Sequence, residues 1–229
     1  YVLGQNSWIQ AGDKIVLRGG TYRETFTVSN DGQANSQIEI TAYDNESVTI
    51  DGTVDVTGTW SSYGSVSGAF QLNSYSEDIT QLFVDDQPMV SARWPNAQFY
   101  DDSIFSHSTW AEGDEDNSSN GSLTIDESVH NPGSLDLNGS IGVLNIGSFK
   151  TWTVEMTGHT QNASNDVITY NTSDIGTYKD KHHYYFFEGK LNYLDTNNEW
   201  FHDKTNNILY LYPDDGLDPS SRSIKAKTT

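Results

Sequence analysis

The clearest pattern of apolar and polar positions lies near the end of the chain. Glu199–Asp203 and Ile208–Tyr212 are short runs rich in aromatic and β-branched residues. Lys204–Asn207 separates them, and Asn206 and Asn207 suit a turn that needs positive φ, so the pattern predicts a β-hairpin. In the second run Leu209 and Leu211 share one face while Ile208, Tyr210 and Tyr212 share the other. Both faces are apolar, so this strand is expected to be covered on both sides.

The same reading applies upstream. Ala11-Gly12-Asp13 predicts a turn before a strand at Lys14–Arg18, which Gly19-Gly20 interrupts and Thr21-Tyr22 resumes. Short strands are expected at Thr25–Val28, Ile38–Thr41 and Val48–Asp51. Their centres Val16, Val28, Ile40 and Ile50 are 12, 12 and 10 residues apart, too close for intervening helices. A solenoid and a sandwich both give this spacing.

Gly58–Gly68, rich in Ser, Gly and Thr, reads as a crossover into a second module. Leu82–Asp85 and Met89–Ala92 flank Asp86-Gln87-Pro88 as a further hairpin, with Pro88 at a turn edge. Asp101–Gly121 reads as a long polar loop. Further strands are expected at Leu123–Ile125, Ile141–Ile146, Trp152–Met156 and Val167–Tyr170. In Thr151–Thr157 the residues Trp152, Val154 and Met156 share one face. Pro213–Ser223 reads as a polar linker, and Ser223–Thr229 as the start of another strand. Few segments carry a helical period.

Composition narrows the functional classes. The 229 residues include six Trp and thirteen Tyr, ample surface for a core, and no cysteine. Disulfides, thiol nucleophiles and thiolate metal sites are thereby excluded. No run of about 18 apolar residues predicts a transmembrane helix, so no membrane insertion is expected. The net charge is −20, which disfavours nucleic-acid phosphate and a densely anionic polymer.

Three segments also resemble a known group: Ala11–Tyr22 (AGDKIVLRGGTY), Gln81–Asn96 (QLFVDDQPMVSARWPN), and EGKLNYLDTNNEWFHD followed by ILYLYP. They are similar to the N-terminal part of secreted right-handed parallel β-helix proteins that act on polysaccharides, in which a β-sandwich-like module interrupts the first rungs. The match covers about a quarter of the chain. The resemblance decides for the solenoid and implies an all-β chain. Residues 1–58 would form opening rungs, 59–215 an antiparallel β-sandwich-like module, and 216–229 a linker and the start of a further rung. It further implies a secreted or cell-surface location, a polysaccharide partner, and a longer β-helix chain of which this is a piece. The reaction it implies is glycoside hydrolysis or polysaccharide lysis. In that group the catalytic groups sit on later rungs, so no catalytic residue is assigned here. A non-catalytic carbohydrate-binding or adhesive surface module is the alternative.

The residues themselves offer several chemistries. Glu188, Asp195, Glu199 and Asp203 lie in the most structured stretch, and Glu199 and Asp203 share strand parity. Glycoside hydrolysis needs two carboxyls at about 5–5.5 or 6.5–9.5 Å. The competing reading makes Glu188 and Glu199 structural acids bonded to backbone or to Arg93. Lys179, Lys181, His182 and His183 form the one local positive concentration, suited to sugar carboxylates or sulfates. Zinc is not expected, because adjacent histidines in an extended segment point to opposite faces. Asp114, Glu115, Asp116 and Asn117 offer calcium-type oxygens but lack the alternating spacing and glycine of a calcium loop. No metal ligands are therefore assigned. Aromatic rings stack on sugar CH faces only where they are exposed. Trp152 and Trp200 are expected in the core, and Trp110 in an open loop. The substrate-binding set read from the sequence is Trp110, Tyr178, Lys179, Lys181 and His183.

Overall fold

The computed structural model describes residues 9–23, 30–162 and 164–228. The chain divides into two units, residues 1–54 and 55–229.

In the first unit, Lys14–Leu17 pairs in parallel with Glu39–Ala42, with Ile15 opposite Ile40. Gly20–Tyr22 pairs in parallel with Val48–Ile50. Parallel stacking of short strands is therefore present, and Val16 and Ile40 do not meet antiparallel partners. The expected strand at Thr25–Val28 lies outside the described residues. Two two-stranded pairs do not by themselves make a β-helix. The Arg18 guanidinium and the Glu46 carboxylate join the two turns.

The second unit holds a closed barrel where a sandwich was expected. Ala111–Ser119, Ser122–Ile125, Val167–Tyr170, Trp152–Thr160, Ile141–Asn145 and Tyr184–Glu188 follow one another around a ring of antiparallel pairs. Tyr184–Glu188 closes it. One edge pairs with all of Ile141–Asn145, and the other with Ala111-Glu112. Closure leaves no open edge, whereas a sandwich leaves four. Six strands enclose a space that side chains fill. Leu123, Ile125, Leu144, Met156, Ile168, Tyr185 and Phe187 are buried there. Gly113 allows the close packing, since a Cβ on it would stand 2.7 Å from the Cβ of His183.

The expected polar loop at 101–121 is thus partly a strand. Ala111–Ser119 has few apolar residues, so no alternation betrays it. It is held by backbone pairing, with a register shift between Asp114 and Ser119. There the Ser118 hydroxyl donates to the Asp114 carbonyl (2.6 Å) and the Thr124 hydroxyl to the Asn117 carbonyl (2.8 Å), satisfying groups the ladder leaves free.

Beside the barrel, two open sheets share a second core that includes Trp60, Leu72, Leu82, Val84, Trp200, Leu209, Leu211 and Ile224. One runs Val90–Ser91, Glu199–Asp203, Ile208–Tyr212, Phe70–Asn73, Trp60–Ser62. Its central hairpin pairs Glu199 with Tyr212 and Asp203 with Ile208, as expected. The Asp203 carboxylate accepts N–H groups of Thr205 and Asn206 to set the turn (3.0 Å each). In the other sheet Ile79–Val84 lies between Gln87–Pro88 and Ile224–Thr228. Ile224–Thr228, expected to open another rung, is here an antiparallel member of this sheet. Its alternation, with Ile224 and Ala226 buried, matches a rung strand and a sheet strand equally. Among the described residues no helix is long and apolar enough to cross a membrane.

Candidate functional site

The segment after Arg93 builds the site. Arg93–Trp94 pairs with Glu188 and Phe187 of the barrel. Beyond Pro95 the chain leaves regular structure and is pinned by side chains. The Gln98 N–H donates to Ser103 Oγ (2.8 Å), and Gln98 Nε2 donates to the Asn197 carbonyl (2.9 Å). Ala97 and Gln98 are buried, Phe99 is half-buried, and Tyr100 is 72% exposed. The amide oxygen of Gln98 is buried with no protein partner.

A cavity of about 420 Å³ opens at this segment, lined by Met89, Gln98, Phe99, Tyr100, Asn198, Asp214 and Arg222 among others. A second, of about 280 Å³, shares Met89 and Phe99 with it and adds Arg93, Phe186, Glu188 and Trp200. A third, of about 260 Å³, shares Asp214 and adds Asp195, Thr196, Asn197, Tyr212 and Asp215. The shared walls make one run of three cavities across the second unit. The first is within the size range of a small-ligand site, and the other two fall just below it. Aromatic rings and amide, carboxylate and guanidinium groups alternate along it.

The charged groups of the run are mostly engaged by protein partners. Arg222 Nε donates to Asp85 (2.7 Å), and its Nη1 to Asp214. These bonds hold the carboxyls of Asp85 and Asp214 below the ordinary range. Arg93 is almost wholly buried. Its guanidinium carbon lies 3.7 Å from the Phe186 ring centroid, and it donates to the carbonyls of Pro95 (2.9 Å) and Thr109 (2.7 Å). Burial lowers its pKa to about 10, against the opposing fields of Glu188 and Glu199. Burial raises the Glu188 carboxyl, offset in part by the Ser91 hydroxyl and Arg93. Glu199 is fully buried. Burial, reinforced by the Asp195 charge, pushes its pKa up to about 8, although the N–H groups of Arg93, Asp195 and Thr196 donate to it at 3.3–3.4 Å. Glu199 is therefore a structural acid bonded to backbone. Asp203 lies four residues along the same strand, about 13 Å away at strand rise. That exceeds the separation of a glycosidase pair.

The residues expected to touch sugar are placed differently. Trp110 is half-buried with its ring edge-on to Phe186 (4.8 Å), so it is not the open platform expected. Tyr178 is half-buried with its hydroxyl buried, and burial, with Asp180, raises it to about 12. Lys179 and Lys181 are exposed. His183 is 2% exposed, and its Nε2 bonds the Lys179 carbonyl (2.6 Å), so it leaves the ligand-contacting set. His182 is exposed and holds a positive φ of 62°, so the two histidines precede the strand at Tyr184–Glu188 and are not part of the extended segment expected. Asp114 is bonded by the Asn117 amide (2.8 Å) and Glu115 accepts the His182 N–H. Among the described residues no three His, Asp or Glu side chains gather to hold a metal ion. The sequence reading missed Gln98, Phe99, Tyr100 and Arg222. Phe99-Tyr100 in a polar stretch carried the same signal that singled out Trp110.

No family model and no curated protein matches the chain. A solved structure named "Glycoside hydrolase" is similar to it, with a TM-score of 0.64 and 18% identity over 95% of this chain. The match covers 39% of that structure's chain, so this chain spans well under half its length. At that identity the likeness is one of fold, and it agrees with the all-β architecture.

Proposed function

We propose that the chain is the N-terminal scaffold and glycan-contacting part of a secreted or cell-surface protein that degrades polysaccharide, either a glycoside hydrolase or a polysaccharide lyase. The observation that carries this reading is the run of three adjoining cavities with Phe99 and Tyr100 beside Gln98. A chain of sugars needs a run of subsites rather than one closed pocket. Aromatic rings take the CH faces, and the amides take the hydroxyls. The fold likeness to a glycoside hydrolase supports the same class. The parallel pairs in residues 9–54 support opening rungs of a right-handed β-helix that continues in a longer chain. The reacting acids belong on that continuation, since Glu199 and Asp214 here are committed to protein partners. A non-catalytic carbohydrate-binding module is the second reading, favoured by the same commitment.

Tyr100→Ala and Gln98→Ala are expected each to weaken binding of a neutral oligosaccharide by roughly tenfold, about 1.4 kcal/mol. Exposed Tyr100 should leave the melting profile unchanged, whereas Gln98→Ala also loses the buried bond to the Asn197 carbonyl and should melt somewhat earlier. Calorimetry on a panel of neutral oligosaccharides checks this. A ligand bound equally by the parent and both variants places the site elsewhere.

A further inference from the structure

We infer a second, anion-selective carbohydrate site on the barrel, formed by Phe149, Lys150, Lys179 and Lys181 and separate from the groove. Phe149 is fully exposed at the connection between Ile141–Asn145 and Trp152–Thr160. It and Ser148 both hold positive φ, 67° and 49°. A bulky residue in that region is uncommon, and such backbone is kept where surrounding structure enforces it, often at ligand sites.

The enforcing structure is visible. The Lys179 N–H donates to the Ile146 carbonyl at 2.8 Å. A Cβ on Gly147 would stand 2.9 Å from the Thr177 carbonyl oxygen and 2.4 Å from the Trp152 ring. The segments 146–150 and 177–181 therefore meet at Ile146–Lys179 and Gly147–Thr177, which sets Lys179, with Lys181 two residues further along its segment, beside the turn that carries Phe149 and Lys150.

Charge then selects the ligand. Among the described residues, Lys14, Lys190, Lys204 and Lys225 each have a carboxylate within 4 Å. Lys150, Lys179, Lys181 and Lys227 have none, and the first three are the ones on these segments. Asp180 lies between two of them, and Glu115 is tied to the His182 N–H. The two segments themselves carry three cations and one acid, a local positive excess on a chain of net charge −20. That balance repels a dense polyanion at long range and accepts a sparsely charged chain. The occupant is a glycan carrying occasional sulfate or carboxylate groups, with a sugar face on Phe149. That it is a glycan rests on the function proposed above.

The test measures the full chain against a sulfated galactan oligosaccharide, an oligogalacturonate and a neutral xylo-oligosaccharide, at low and at elevated salt. The variants are Phe149→Ala, the triple Lys150→Ala/Lys179→Ala/Lys181→Ala, and Tyr100→Ala as the groove control. The parent is expected to bind at least one anionic oligosaccharide, more weakly as salt rises. Phe149→Ala and the triple variant should each lose roughly tenfold or more, while Tyr100→Ala keeps that affinity. Unchanged affinity in the patch variants, or no anionic binding by the parent at low salt, overturns the inference. So does loss of binding to anionic vesicles or duplex DNA in the same variants with no anionic glycan bound. Failure of the groove alone shows as loss of neutral binding in the parent, with anionic binding intact.

Discussion

Truncating Trp200 to alanine is expected to lower the unfolding free energy by about 3–5 kcal/mol, the range for a core tryptophan. Trp200 is 7% exposed and belongs to the core shared by the two open sheets. It sits opposite Leu211 across the hairpin and Ser91 across the parallel pair. Leu211 is held by register on both sides, opposite Trp200 and opposite Phe70, and so is not free to fill the space the indole would leave. Trp200→Phe should cost far less, since a ring remains in place. Urea midpoints of the three proteins check this. A loss below about 1 kcal/mol, the scale of surface substitutions, would place the indole in solvent and make it a groove ligand.

Stability should also depend steeply on pH through Glu199. Its carboxyl titrates near 4.5 when unfolded and is pushed up to about 8 in the fold. Below about 4.5 both states hold the proton. Between the two values the unfolded chain has released it while the folded chain keeps it, so stability falls as pH rises, and the loss is complete above about 8. The displacement corresponds to roughly 5 kcal/mol. Glu199→Gln carries no proton to lose, so it should remove most of this slope. Near pH 5 the variant should match the parent, and near pH 9 it should be several kcal/mol more stable. Asp195 raises the carboxyl further and Arg93 lies within its field, so both are controls for the assignment. Denaturant unfolding at pH 5, 7 and 9 decides it. Parallel pH dependences in parent and variant would mean that Glu199 is ionised in the fold.

The elements that strand alternation and turn chemistry specify locally were legible in the chain itself. Leu209 and Leu211 against Tyr210, and the Asn-rich turn before them, determine the hairpin and its two covered faces. Trp152, Val154 and Met156 determine which face of their strand points inward. The Gly and Asp turns around Lys14–Tyr22 determine short strands there. Absence of cysteine excluded thiol chemistry without any structure.

Tertiary structure alone decided three things. The first is closure of the barrel, because alternation says which side of a strand is apolar but not which strands meet. Tyr184–Glu188 reads identically as an edge, a sandwich strand or the closing stave. The second is the strand Ala111–Ser119, whose polar residues leave no period and whose order comes from backbone bonds to neighbours. The third is exposure. Trp110, Phe149 and His183 all stand in polar surroundings in sequence. Only packing buries His183, turns Trp110 onto Phe186 and leaves Phe149 in water. Burial depends on residues brought from elsewhere in the chain, and local composition does not carry that information.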